Sequence, residues 1–119
     1  MGIFDSLFGK EKAEEHFHKA IAYYKAGMFS KALEELGRTL KKNPYDYRAL
    51  YQRGLVHGKL GLIEQALKDF ETVIKLNPET QLVVDAYYNC GLGYEKLNQN
   101  NKAIEYYDKA IALKPDFAN

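Results

Sequence analysis

Histidine and cysteine, the side chains best suited to metal binding and nucleophilic chemistry near neutral pH, are scarce in this 119-residue chain: His16, His18, His57 and Cys90. His16 and His18 stand two residues apart, which turns them to different faces of a helix, so they make no zinc pair. His57 occupies a position held elsewhere in the chain by Tyr23 and Tyr94, a core-type slot. Cys90 adjoins Gly91 and reads as a small buried apolar side chain. No Ser–His–Asp set, glycine-rich phosphate loop or carboxylate pair stands in a setting that would make a site. The chain therefore reads as non-enzymatic, with no metal and no cofactor. What recurs instead is an apolar stripe at helical spacing: Phe17, Ile21 and Tyr24, then Tyr51 and Leu55, then Tyr88 and Leu92. Its chemistry is recognition rather than reaction.

The elements that carry the stripe follow from a period. Pro44, Pro78 and Pro115 are separated by 34 and then 37 residues, and each ends an apolar, lysine-containing stretch. Aligned on the prolines, Ala20, Gly54 and Gly91 correspond, as do Ala32, Ala66 and Ala103; such small pairs mark the close approach of two antiparallel helices. Gly27, Gly61 and Asn98 correspond as left-handed helix ends, leaving Ser30 and Asn100 as caps for the helices that follow. Leu36, Phe70 and Tyr107 fall one helical turn beyond the small alanines. The pattern predicts an all-α chain of three hairpins, with helices near 13–26, 30–42, 47–60, 63–76, 80–97 and 101–113. An apolar segment at 1–12 precedes repeat units at 13–46, 47–80 and 81–117. The three extra residues before the third unit predict a longer fifth helix, capped near Thr80, with Leu82 and Val83 toward one end of the stripe.

Composition excludes several partners. With 17 basic and 16 acidic residues the formal charge is +1, and no clustered basic face suggests nucleic acid. No apolar run is long enough to span a membrane, and no secretory leader is apparent. A single cysteine precludes an internal disulfide and fits a reducing, cytoplasmic setting. Ten tyrosines and no tryptophan supply the aromatic anchors.

These residues resemble the tetratricopeptide repeat. The third unit matches its pattern best through Tyr87, Cys90-Gly91, Tyr94, Ala103, Tyr107, Ala110 and Pro115; the second matches through Leu50, Arg53-Gly54, His57, Ala66, Phe70 and Pro78. The first is the most degenerate, with His16, Lys19-Ala20, Tyr23, Ala32, Leu36 and Pro44. Lys19 and Arg53 stand where the pattern is apolar and Thr39 where it is small, which predicts looser packing in the first two units.

The resemblance implies a right-handed α-solenoid whose first helices line a concave groove for a protein or peptide partner. Its lining is then Phe17, Ile21, Tyr24, Arg48, Tyr51, Gln52, Leu55, Tyr88, Asn89 and Leu92, with aromatic anchors and a few orienting polar groups. One branch of the family grips the acidic C-termini of heat-shock chaperones with a two-carboxylate clamp. The matching positions here hold Phe17, Ile21, Gln52, Asp85 and Asn89, none of them basic, so a clamp is not expected. Arrays of this kind usually end in a covering helix. Here Ile104, Tyr107 and Ile111 would present an uncovered apolar face, so a self-assembling scaffold unit, a homo-oligomer, is the alternative reading. Within residues 1–12, Ile3, Phe4, Leu7 and Phe8 follow helical spacing, and the start fits the pattern for N-myristoylation of Gly2. That pattern is short and often met by chance, so lipidation is not the expectation; docking or disorder of this segment is expected over lasting membrane contact, for which it is too short.

Overall fold

The computed structural model describes the backbone of residues 3–78 and 80–113, with side chains from residue 12 onward within those spans. Six helices follow one another: α1 (Ile3–Lys25), α2 (Phe29–Lys42), α3 (Tyr47–Lys59), α4 (Ile63–Leu76), α5 (Gln81–Lys96) and α6 (Asn100–Ala112). Each odd-numbered helix folds back on the next as an antiparallel hairpin, and the hairpins stack through α2 on α3 and α4 on α5. The largest departure from expectation is α1, which begins at Ile3 rather than near residue 13. Nothing between Ile3 and Ala13 breaks a helix, since Gly9 alone carries only a propensity cost of about 1 kcal/mol. The side chains of residues 1–11, and with them the docking expectation and the myristoylation pattern, lie outside the described residues, as does Pro115.

The hairpin turns are built by backbone geometry. Gly27, Gly61 and Asn98 all have positive φ, at 76°, 78° and 60°. The next N–H reaches back across the helix end: Met28 to the Tyr23 carbonyl at 2.8 Å, Leu62 to His57 at 2.8 Å and Gln99 to Tyr94 at 2.9 Å. This is the doubly bonded left-handed C-terminus. It hands the chain directly to the second helix, so Met28, Leu62 and Gln99 occupy the N-cap positions without side-chain caps. Ser30 and Asn100 consequently lie within α2 and α6 and are not caps. Where one hairpin passes to the next, polar side chains do cap. The Asp46 carboxylate accepts from the N–H groups of Arg48 and Ala49, and Thr80 Oγ1 accepts from Leu82 at 3.2 Å. That Thr80 cap starts a 16-residue α5, three residues longer than the 13-residue α3, as the altered period predicts.

Within each hairpin the small residue receives a large one. A Cβ on Gly54 would stand 2.7 Å from Phe70 Cε1, and one on Gly91 would strike the Tyr107 ring. The alignment therefore pairs small with large across the hairpin: glycine opposite an aromatic ring in the second and third units, alanine against leucine in the first. The remaining core draws on Ala20, Leu36, Leu50, Val56, Leu67, Val73, Cys90 and Ala103, all buried. Burial pushes the Cys90 thiol up to about 12, so it is an inert thiol at neutral pH. Val83 also turns inward, into a cluster with Val84 and Ala110, so lengthening α5 at its start adds to its hairpin contact with α6 rather than to the stripe.

Of the two charged departures from the apolar pattern, Lys19 is exposed and pairs with Glu15 on its own helix, whereas Arg53 is matched by an acid on the facing helix. Arg53 Nε donates to Asp69 Oδ2 at 2.9 Å and its Nη2 to Oδ1 at 2.7 Å, a bidentate pair, and His57 Nδ1 lies 3.1 Å from the same carboxylate. Asp69 is only 3% exposed. Glu35 takes the same place in the first unit, paired with His16 and Arg38. Burial alone would raise the Glu35 carboxyl, but the His16 hydrogen bond and the nearby charges of Arg38 and Lys19 bring it below its ordinary value. Thr39 is buried and donates to the carbonyls of Glu35 and Ala13. The looser packing expected from Arg53 and Thr39 is thus offset by hydrogen bonding. In the third unit the positions of Arg53 and Asp69 hold Cys90 and Tyr106, and there Tyr106 stacks on Tyr94 with centroids 5.3 Å apart.

Candidate binding groove

The odd-numbered helices share one side of the stack, so residues at equal repeat positions form rows across α1, α3 and α5. Between α3, α4 and α5 lies a cavity of about 260 Å³, open on one side. Its floor is Leu55, Ile63, Leu67, Phe70 and Leu92, with Tyr24 at one flank and Asn89, Lys59 and Lys96 among the polar lining. Gly93 allows this depth, since a Cβ there would stand 2.8 Å from Leu67 Cδ2.

The residues of the stripe have different fates. Phe17 is 6% exposed, with the Arg48 guanidinium 4.6 Å above its ring, so it belongs to the core and is no surface anchor. Ile21, Tyr24, Tyr51 and Leu55 are half-buried against that core. Tyr51 meets Phe70 edge-on, with centroids 5.5 Å apart. Tyr88 is the most open of the set at 52%, resting against Tyr107 with centroids 5.6 Å apart. Arg48 is engaged by Glu14 and Asp46.

Two amide side chains, Gln52 and Asn89, stand at the same repeat position on α3 and α5. Asn89 Nδ2 donates to the Asp85 carbonyl at 2.9 Å and to Tyr51 Oη at 3.1 Å. The carbonyl contact fixes which way the amide faces, because only the nitrogen can donate there. Both amide hydrogens are then used, and Asn89 Oδ1 has no partner among the described residues. Gln52 Oε1 is buried and likewise unpartnered. These two orphan acceptors are invisible to sequence reasoning, because they depend on where each amide nitrogen is spent. Burial, together with the negative charge of Asp85, pushes the Tyr51 hydroxyl up to about 12, so it remains a proton donor at any physiological pH.

The proposed self-association residues also separate. Ile104 and Ile111 are 55% and 70% exposed. They hold the positions of Leu67 and Ile74, which pack into the core when α5 covers α4. Tyr107 instead packs into its own hairpin over Gly91 and donates to Glu95 Oε1 at 2.8 Å, so it adds little to an uncovered face. Among the described residues no group of three or more His, Cys, Asp or Glu is placed to hold a metal, and no helix is long and apolar enough to cross a membrane.

Family models of the tetratricopeptide repeat match residues 17–58, 47–80 and 84–117. The chain belongs to the tetratricopeptide repeat family. Its three hairpins form the family's right-handed solenoid. Among curated relatives, Hsp70-Hsp90 organizing protein 3 of Arabidopsis thaliana is 29% identical over 87% of this chain, and the match spans 18% of that protein. The chain thus covers about a fifth or less of the curated relatives' lengths. Among solved structures, MamA superposes with a TM-score of 0.81 at 26% identity, over 89% of this chain and 60% of its own. YrrB, described as a tetratricopeptide repeat protein with an unusual peptide-binding site, gives a TM-score of 0.79 at 30% identity, over 87% and 52%.

Proposed function

We propose that this tetratricopeptide repeat chain is a non-enzymatic, cytoplasmic interaction module that takes an extended partner segment in the groove formed by α1, α3 and α5. The observation that carries this reading is the apolar cavity beside Asn89, whose free acceptor suits a partner backbone N–H. Asn89 Oδ1 borders the cavity and is open to a partner N–H, a hydrogen bond worth about 0.5–1.5 kcal/mol net. Tyr88, Leu55 and Leu92 supply apolar contact, Tyr24 and Ile21 extend it, and Tyr51 both packs and offers its hydroxyl. The peptide-binding description of YrrB accords with this use of the fold. The groove is not proposed as a chaperone clamp, because Phe17, Ile21, Gln52, Asp85 and Asn89 offer no cation at the clamp positions.

A random peptide display library selected on the immobilised protein tests the reading. Selected peptides should bind Tyr88→Ala and Leu92→Ala about tenfold more weakly by fluorescence anisotropy, as expected for losing an interface anchor. The circular dichroism of both variants should be unchanged. Enrichment of no peptide, or equal binding by both variants, rejects the groove. Tyr51→Ala is a poor probe because it also removes the ring packed on Phe70.

The exposure of Ile104 and Ile111 favours a second reading, a self-assembling scaffold unit. The matching face of α1 carries exposed Lys12, Glu15 and Lys19, which would be costly to bury, so α6 would meet α6 of a second copy. Light scattering should then show a dimer that Ile104→Glu/Ile111→Glu converts to monomer; a wild-type monomer at high concentration rejects it.

A further inference from the structure

We infer that the partner segment is acidic as well as apolar, with its carboxylates directed to Lys59 and Lys96 at the hairpin-turn rim of the groove. The inference rests on the groove reading above and specifies its occupant. Lys25, Lys59 and Lys96 are each the last residue of their helix, at the same repeat position on α1, α3 and α5. Lysine at a helix C-terminus is common, because it complements the helix dipole. What sets Lys59 and Lys96 apart is that both line the cavity, beside Leu55, Ile63 and Leu92, while no carboxylate lines it. None of the three ammonium groups has an ion-pair partner among the described residues, whereas Glu14 at the opposite end of the groove is paired with Arg48. Asp85 bears on Tyr51 one turn before Asn89, away from the helix ends that carry the lysines, and two further carboxylates adjoin those ends in sequence. Glu95 is engaged by the Tyr107 hydroxyl, and Glu64 lies in the first turn of α4. Neither is paired with the lysines. An apolar floor bordered by uncompensated cations suits a large apolar side chain flanked by acidic ones.

The cations are not those of the chaperone clamp. They lie at the ends of the helices, beyond the clamp positions, and would hold carboxylates along the rim rather than deep in the groove. Lys59 and Lys96 both line the one cavity, and an extended chain advances about 3.3 Å per residue, so acidic residues placed on both sides of one apolar residue can be directed to the two lysines.

Three fluorescein-labelled nonapeptides test this, each with leucine at the centre and Glu, Gln or Lys flanking it. The Glu peptide should bind about tenfold more tightly than the Gln peptide at low salt, lose that advantage as salt is raised, and lose it also on Lys59→Gln/Lys96→Gln. Leu92→Ala should weaken the Glu and Gln peptides alike. If the Glu and Gln peptides bind equally and Leu92→Ala weakens both, the acidic occupant is rejected and the groove stands. If the Lys peptide binds best, the charge assignment is overturned. If none binds and the display selection also fails, the groove falls with it.

Discussion

Asp69→Ala is expected to destabilise the fold by about 3 kcal/mol, measured by urea unfolding followed at 222 nm. The substitution removes both acceptors of the Arg53 guanidinium and the partner of His57 at once. Breaking one side of a buried ion pair leaves an uncompensated charge, which costs about 3–5 kcal/mol. The lower end applies because the Arg53 side chain keeps 34% of its exposure and can partly rehydrate. Asp69→Asn, which keeps the shape and one acceptor, should lose less. The informative comparison is Arg53→Met with Asp69→Leu. Apolar replacement of a whole buried pair is often neutral, and the third unit already manages with Cys90 and Tyr106 in these positions. The double variant should therefore recover most of the loss. A single variant within about 0.5 kcal/mol of wild type would mean that the Asp69 carboxylate is not held in a buried pair.

The same network shows what sequence can and cannot deliver here. Gly27, Gly61 and Asn98 were legible because a left-handed helix end demands particular residue types, so the demand is written in the residue. The longer α5 was legible for the same kind of reason, since three extra residues with a Thr80 cap and no breaker have one simple outcome. Lys19 and Arg53 were visible only as flaws, because the pattern was read one helix at a time. Asp69, the acid that pairs Arg53, shares a repeat position with Glu35, and reading across the hairpin would have found it; Lys19 instead pairs with Glu15 on its own helix. The groove was legible in outline and not in detail. Phe17 looked free because its helix has a second apolar face, but Arg48 from the next hairpin covers its ring. The partnering of Asn89 depends on a carbonyl one turn back and a hydroxyl two helices away, neither of which a period can disclose.

Gly54→Ala should be the second most costly change, at about 1–3 kcal/mol, although alanine is ordinarily the better helix former. An added Cβ would stand 2.7 Å from Phe70 Cε1 and 2.8 Å from Cζ, so the ring would have to move. It has little room to do so. Phe70 is 4% exposed and Tyr51 holds it edge-on. Two other glycines make the comparison decisive. Gly37 lies inside α2 with nothing within 4 Å of a new Cβ, so Gly37→Ala should stabilise by about 0.5–1 kcal/mol. Gly91 faces Tyr107 more closely still, but Tyr107 rests on the open Tyr88 and can swing outward, so Gly91→Ala should cost less than Gly54→Ala. The order Gly37, Gly91, Gly54 thus ranks how freely the facing group can yield rather than how near it stands. Gly54 and Phe70 also line the cavity, and Tyr51 links Phe70 to Asn89. A ring displaced by Gly54→Ala would therefore disturb the groove and weaken selected peptides, whereas Gly37→Ala, remote from it, would leave their binding unchanged.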